Sequence, residues 1–437
     1  MSEVFNNYIL KLSELIKCDT VSSSNFIGEN KSINFENTLR FLFPNIYNKC
    51  RIKEIDGSFI IELIGRRNSA PSLILCHYDT AEINGNWTHD PLIVETDETK
   101  IYGRGVLDAK GNLFCILQAF DELLSEGFIP SQDVYLASVY DHEGKGDAIN
   151  SIYNYFKNNS IYFGNILDEG GYIVNSPLNG VNKDYAFVGL GEKAYATLKF
   201  TIKGNGGHAS HYIKDAPLFN LLTFIGEFEF NDVFKKSIHI SIHDIFNQLS
   251  QDMEGFDKFV YGHSKLFSPS IKSSLKKQPH ALSLIQSCLS FTSIHLSDSD
   301  KTVTSEAYAI GTLNIGLNDS LDDCLERINS IAKYYNVEVE VIKSEDVSRI
   351  TSSKSYQYIK FEEAIKEVFN DVTIIPYISN AKTDLRVMDR LCSNSFRFVP
   401  FKVTRDQLSR IHGIDENIDK DCLEKAVSFY KKLIKNS

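Results

Sequence analysis

The chain has 437 residues, 43% of them hydrophobic and 24% charged, with a formal net charge of −11 at pH 7. That length exceeds one ordinary core and predicts two domains, and the composition excludes wholesale disorder. The acidic balance argues against a nucleic-acid backbone as partner, because phosphates need a basic face.

In chain order, MSEVFNNYILKLSELIKCDT reads as an amphipathic helix with Ile9, Leu10, Leu12, Leu15 and Ile16 on one side. Its acidic and polar residues are unlike a signal peptide. SLILCHYDT is a short apolar run ending in polar residues, as a buried parallel strand does. Behind Lys110-Gly111, the residues Leu113, Ile116, Leu117, Phe120 and Leu124 recur at helical spacing. DVYLASVYD then alternates, and GNILDEGG ends a third strand-like run. Strand, helix and strand at these lengths predict an α/β sheet with crossover helices. In such sheets ligands gather beyond the carboxyl ends of the strands. Three of these ends carry clusters: His77 with Asp79, Asp141 to Glu143, and Asp168 with Glu169.

From about residue 193 the pattern changes. In ATLKFTIKG, Leu198, Phe200 and Ile202 alternate with polar residues. SLDDCLERINSIAKYY puts Leu321, Leu325, Ile328 and Ile331 on one helical face, and NVEVEVIKS alternates again. A smaller α+β domain over 193–345, inserted into a larger one formed by 1–192 and 346–437, is the expectation. Residues 230–290, rich in Phe, His and Ser, read as a helical elaboration. The last part runs through FRFVPF to a final helix, KDCLEKAVSFYKKLIK. No apolar run reaches membrane-spanning length, so no membrane partner is expected. Eight scattered cysteines without a C-x-x-C pair suit a reduced compartment, and the cytoplasm is the expected location.

Each chemical residue has a bland reading beside a functional one. His77 and Asp79 could cap a strand, or be a metal ligand and the group that orients it. Asp108, in YGRGVLDAKGN, could be a helix N-cap or a carboxylate bridging two ions. Glu143 and Asp168 could be solvated loop acids, and His412, in SRIHGIDEN, a structural histidine. As a set, two histidines and three carboxylates suit Zn²⁺ or a similar divalent ion. Gly189-Leu-Gly191-Glu-Lys-Ala194 satisfies a dinucleotide pattern, but a strand-like segment follows where that pattern needs a helix.

Together LILCHYDT, NWTHDPL, IYGRGVLDAKG, YDHEG, ILDEGG, GEKAYATLKF, GNGGHAS, KTDLR, FRFVPF and IHGIDENI resemble the M20 family of metallopeptidases, from the first helix to the last. DEGG, GEKAY and FRF-P look most like its carboxypeptidase S branch. The resemblance implies a zinc-peptidase catalytic domain with a mixed, largely parallel sheet, and a ferredoxin-like inserted domain that makes a homodimer. It implies two divalent ions, Zn²⁺ first and Co²⁺ or Mn²⁺ as alternatives. His77 would bind one ion, Asp108 would bridge both, Glu143 would bind the other, Asp168 would join the ion of His77, and His412 that of Glu143. Asp79 would steady His77. His208, in GNGGHAS, would reach a partner subunit's site and stabilise the developing oxyanion.

Two departures stand out. The family carries two consecutive glutamates, a general base and then a ligand, where this chain has Asp141-His142-Glu143-Gly144. Aligning Glu143 as ligand puts His142 at the base position. Alternatives are that Asp141 swings in, that Glu143 is itself the base, or that catalysis is crippled. Where the family has an arginine that grips the substrate carboxylate, this chain offers Gly316; Lys301, Arg386 or Arg397 are possible substitutes, and Lys382 replaces a family glycine beside the site. The leading expectation is hydrolysis of an N-acyl amino acid or small peptide. The alternative is a metal-binding but catalytically silent homologue acting in binding or assembly.

Overall fold

The computed structural model describes residues 3–22, 29–67, 69–276, 279–296 and 300–437. Contacts divide the chain into two units, Met1–Gly191 with Arg349–Ser437, and Glu192–Ser348.

The centre of the first unit is the strand Ser72–His77, all six residues buried. It lies between two parallel partners, Val134–Val139 and Asn165–Asp168. Ser395–Arg397 continues the parallel set beyond Asn165–Asp168. Antiparallel strands flank this core: Ser58–Leu63 and Arg51–Ile55 on one side, Asp184–Glu192 on the other. Among the described residues the result is a mixed ten-stranded sheet.

Both faces of its centre are covered. Ile74, Cys76, Leu136 and Leu167 pack into one apolar cluster, and Leu73, Leu75, Tyr135, Ala137 and Ile166 into another. Val134–Val139 is therefore buried throughout, although its sequence alternates as a one-faced strand would. Here position in the sheet overrides pattern, since a central strand has no solvent face. The helix Lys110–Ser125 is buried over nearly its whole length. It packs against Asp421–Lys435, Pro44–Lys49 and the first helix, Glu3–Lys17. That first helix buries Phe5, Tyr8, Leu12, Leu15 and Ile16, while Leu10 is 67% exposed. The buried stripe repeats at three- and four-residue steps from Phe5, and Leu10 falls off it.

The second unit is a four-stranded antiparallel sheet in the order Cys288–His295, Glu306–Asn314, Tyr195–Lys203, Val337–Glu345. Leu198, Phe200, Ile202, Ala307, Ala309 and Leu313 form a core with residues of the helices Pro217–Phe230 and Leu321–Tyr334. Ser320 and Asp323 cap the second of these reciprocally. Residues 189–194 join two strands, Asp184–Glu192 and Tyr195–Lys203, so no helix follows the glycine pattern. The elaboration is helical: Ile240–Ser250, Gly255–Gly262, Ser268–Leu275 and Pro279–Leu282. Among the described residues no helix is long and apolar enough to cross a membrane.

Candidate metal centre

The carboxyl end of Ser72–His77 delivers His77 to a buried position. Its Nδ1 lies 3.0 Å from the backbone oxygen of Asp79, which fixes the ring, and its Nε2 lies 3.1 Å from Asp108 Oδ1. The other Asp108 oxygen is 3.3 Å from His412 Nε2, and the same nitrogen is 2.7 Å from Glu143 Oε1. Four residues drawn from distant segments thus converge on one another. The helix after Asp108 starts at Lys110 with no side-chain cap, so the N-cap reading of Asp108 is not the one adopted.

Asp79 does more than steady His77. Its carboxylate accepts hydrogen bonds from Ser22 Oγ at 2.5 Å, His142 N–H at 3.2 Å and Glu143 N–H at 2.8 Å. One buried acid therefore aligns two strand ends at once. Asp141 closes the turn that follows, accepting from the N–H groups of Lys145 and Asp147. His142 stacks on His77, with ring centroids 4.4 Å apart and planes 18° apart. Its Nδ1 is 3.1 Å from Asp384 Oδ2, and its Nε2 is 3.9 Å from Glu169 Oε1.

At the third strand end Asp168 accepts from Glu169 N–H at 3.0 Å with one oxygen and from Leu385 N–H at 2.9 Å with the other. Among the described residues two groups bring candidate ligand atoms within 4.8 Å of one another: His77 with Asp108 and Glu143, and His77 with His142 and Glu169. Asp168 is in neither. His208 belongs to the other unit, on the short strand Gly207–His208, and is exposed. Its Nδ1 accepts from Ser210 N–H at 3.2 Å, so in the neutral ring the proton sits on Nε2.

A further pair, absent from the sequence expectations, holds the cluster together. The fully buried Glu416 accepts from the N–H groups of Gly105, Leu107 and Asp108 through one oxygen and from Arg104 through the other. Arg104 also donates to the carbonyls of His412 and Gly413. The loop carrying Asp108 and the loop carrying His412, which has φ of +61°, are thereby tied into one body. Both residues lie inside conspicuous stretches, GRGVLD and HGIDEN, which was the available signal. Lys110 adds a buried ammonium that donates to the carbonyls of Leu15 and Cys18, anchoring the first helix; burial lowers its pKa to about 8.

The candidate carboxylate-binding residues separate. Arg397 is completely buried, 3.3 Å from Asp389, and close to Gly170 and Gly189. Gly316 lies just past the strand Glu306–Asn314; its N–H donates to Ser287, and a Cβ there would stand 3.1 Å from backbone, so it shapes a loop. Lys382 is exposed, with Nζ 4.0 Å from where a Cβ on Gly146 would be, beside the His142 turn.

The electrostatics follow from dense buried acid. Burial pulls the pKa of His142 down, but the Asp384 carboxylate outweighs this and raises it to about 9. Hydrogen bonds with Asp108 and Glu143 raise His412 to about 10. Burial pushes Asp108 up, yet the two histidines hold it well below the carboxylate range. Burial, then the neighbouring Asp168, push Glu169 well above it. Both Glu169 oxygens are buried and accept no hydrogen bond. A buried carboxylate without a donor is costly, and a cation among imidazole and carboxylate donors removes that cost. The residues present therefore fit divalent ions of the zinc type.

A family model described as "Peptidase family M20/M25/M40" matches residues 73–436. The "Probable carboxypeptidase S-like 2" of Dictyostelium discoideum is 30% identical over 421 residues, spanning 94% of this chain and 80% of that protein. The "N-fatty-acyl-amino acid synthase/hydrolase PM20D1.1" of Danio rerio is 27% identical over 414 residues, 92% of this chain and 80% of that protein. Among solved structures, the M20 family metallo-carboxypeptidase Sso-CP2 from Sulfolobus solfataricus shares the fold at a TM-score of 0.67 and 17% identity, covering 100% of this chain and 99% of that one.

Proposed function

This chain belongs to peptidase family M20/M25/M40 and is a metal-dependent peptidase or amidohydrolase, and from that premise we propose that it hydrolyses the amide bond of an N-acyl amino acid or small peptide with two divalent ions at the strand-end cluster. The observation that carries this reading is the convergence of His77, Asp108, Glu143 and His412 through side-chain distances of 2.7 to 3.3 Å. The N-acyl amino acid class is supported by the likeness to the Danio rerio relative, an N-fatty-acyl-amino acid synthase/hydrolase.

His77, Asp108 and Asp168 would hold one ion, and Asp108, Glu143 and His412 the other. Each Asp168 oxygen takes one backbone N–H and retains a second lone pair. Glu169 is the competing ligand on that strand; metal content of Asp168→Asn and Glu169→Gln separates the two. Such ions, Zn²⁺ first and Co²⁺ or Mn²⁺ otherwise, polarise the scissile carbonyl and acidify the attacking water. Asp79 fixes His77 and the backbone of Glu143. Two cations beside His142 would lower its proton affinity from the level that Asp384 sets, and the neutral ring would then take the water's proton on Nε2 and return it to the leaving amine. His208 of a second copy donates its Nε2–H to the developing oxyanion, so the working form is a homodimer joined through the Glu192–Ser348 unit. With eight unpaired cysteines the chain suits a reducing cytoplasm.

The test is metal content of the purified protein together with ninhydrin-detected release of amino acids from N-acyl amino acids and dipeptides. Two ions per chain with chelator-sensitive turnover is the expected result. A protein that takes up no metal even when zinc is supplied would sink the ligand assignment.

A further inference from the structure

We propose that Asp384 is a positioning residue that fixes the ring orientation and tautomer of His142, and so makes a histidine workable at the proton-transfer position. The inference rests on the preceding reading of His142 and adds a residue to it.

His142 is held from three directions. Its backbone N–H donates to Asp79, its ring stacks on His77, and its Nδ1 lies 3.1 Å from Asp384 Oδ2. Asp384 is 7% exposed, and the next residue, Leu385, donates its N–H to Asp168. The KTDLR segment is thus moored on the third strand end, and Asp384 faces the imidazole from a fixed base. A carboxylate oxygen faces Nδ1 as the acceptor, so Nδ1 is the donor and carries the proton. In the neutral ring Nε2 then keeps its lone pair. Nε2 is directed to the side of Glu169, at 3.9 Å and beyond hydrogen-bond distance, so among the described residues Glu169 does not claim that lone pair. His77 is built alike, with Nδ1 on an Asp79 oxygen and Nε2 on Asp108. Two stacked imidazoles each have Nδ1 anchored and Nε2 turned inward.

The step balances. A water O–H bond breaks and its proton joins Nε2, while the water oxygen bonds to the carbonyl carbon. The Nδ1–H stays on Asp384, which orients the imidazolium and is not itself protonated. The C–N bond then breaks, the amine leaves with the proton from Nε2, and an acid and an amine result. A glutamate at position 142 would need no choice of tautomer. Asp384 should therefore matter only when residue 142 is histidine.

That condition supplies the experiment: kcat, KM and metal content for the full-length wild type, Asp384→Asn, His142→Glu and the double variant. In the histidine background Asp384→Asn should lower kcat by about 10²–10⁴, the range of general-base contributions, with KM and metal content unchanged. In the glutamate background the same change should cost less than about threefold, well inside that range. Equal losses in both backgrounds would make Asp384 merely structural and overturn the proposal, as would loss of a bound ion in Asp384→Asn. Histidine ¹⁵N NMR of the metal-loaded protein, at a pH where the ring is neutral, reads the tautomer without any turnover. Nδ1–H in the wild type, lost in Asp384→Asn, is expected; Nε2–H in the wild type overturns it. A wild type without hydrolysis but with the Nδ1–H tautomer would fault the hydrolase reading and leave the positioning intact.

Discussion

The strand-end cluster of the first unit and the Gly207–His208 strand of the second hold their histidines in opposite ways. In the cluster the supporting acids are each secured more than once. Asp79 accepts from Ser22, His142 and Glu143, and Glu416 accepts three backbone N–H groups as well as Arg104. His208 stands exposed with its ring held by Ser210. The difference follows from burial. A charge taken out of water must be fully paired or the fold loses stability, so a metal-binding cluster comes with a rigid supporting layer. A group that meets charge only as the reaction develops can wait at the surface, where its tip stays hydrated and costs the fold nothing.

Removing the central carboxylate tests the cluster most severely. Asp108→Ala should abolish binding of both ions and lower turnover by about 10⁴ or more, since metal polarisation supplies several kcal/mol. Metal analysis and single-turnover assays check it; retention of either ion at full occupancy would break the bridging assignment. Next comes the support. Arg104→Met leaves Glu416 buried with its countercharge gone and should destabilise the protein by about 3–5 kcal/mol in denaturant titration. Unlike an ordinary buried pair, the double variant Arg104→Met/Glu416→Leu should not recover, because the N–H groups of Gly105, Leu107 and Asp108 then lose their acceptor. Recovery would show that the pair is dispensable to the loop.

On the exposed side of the comparison the balance reverses. His208→Ala should lower kcat by about 10²–10³, the cost of one oxyanion donor, while stability and metal content stay at wild-type values. On the proposal that each site draws this imidazole from the other copy, mixing His208→Ala with an Asp108→Ala partner should restore part of the activity in the mixed dimer. Absence of any such complementation would place His208 outside the other copy's site.

The same contrast explains what was legible in the sequence. The strand ends could be read because apolar runs stop abruptly at His77, Asp141 and Asp168, and local pattern reports local burial. The inserted α+β unit was legible from one-faced alternation such as Leu198, Phe200 and Ile202, which the sheet buries on one side. Asp384 and the Arg104–Glu416 pair were not singled out. Their partners are far away along the chain, 312 residues for Arg104 and Glu416, and no periodicity links them. Val134–Val139 misled for a related reason: alternation describes the residues, whereas burial on both faces depends on neighbours from elsewhere. Gly316 was read against a strand arginine, but the strand ends at Asn314 and the glycine belongs to the following loop.

The smallest expected effect sharpens the comparison from its far end. Lys425 and Asp421 form an ion pair of 2.6 Å on the last helix, shorter than the 2.8 Å of Arg104 and Glu416. Distance alone would rank it first. Both partners are about half exposed, however, at 46% and 53%, so water screens the attraction and the flexible side chains lose entropy in holding it. Lys425→Ala should therefore change stability by only about 0.3–0.5 kcal/mol, and less in high salt. Denaturant titrations of Lys425→Ala and Arg104→Met at two ionic strengths decide the matter. Similar losses from the two would mean that burial and backbone pairing do not set the strength of charge pairs in this molecule.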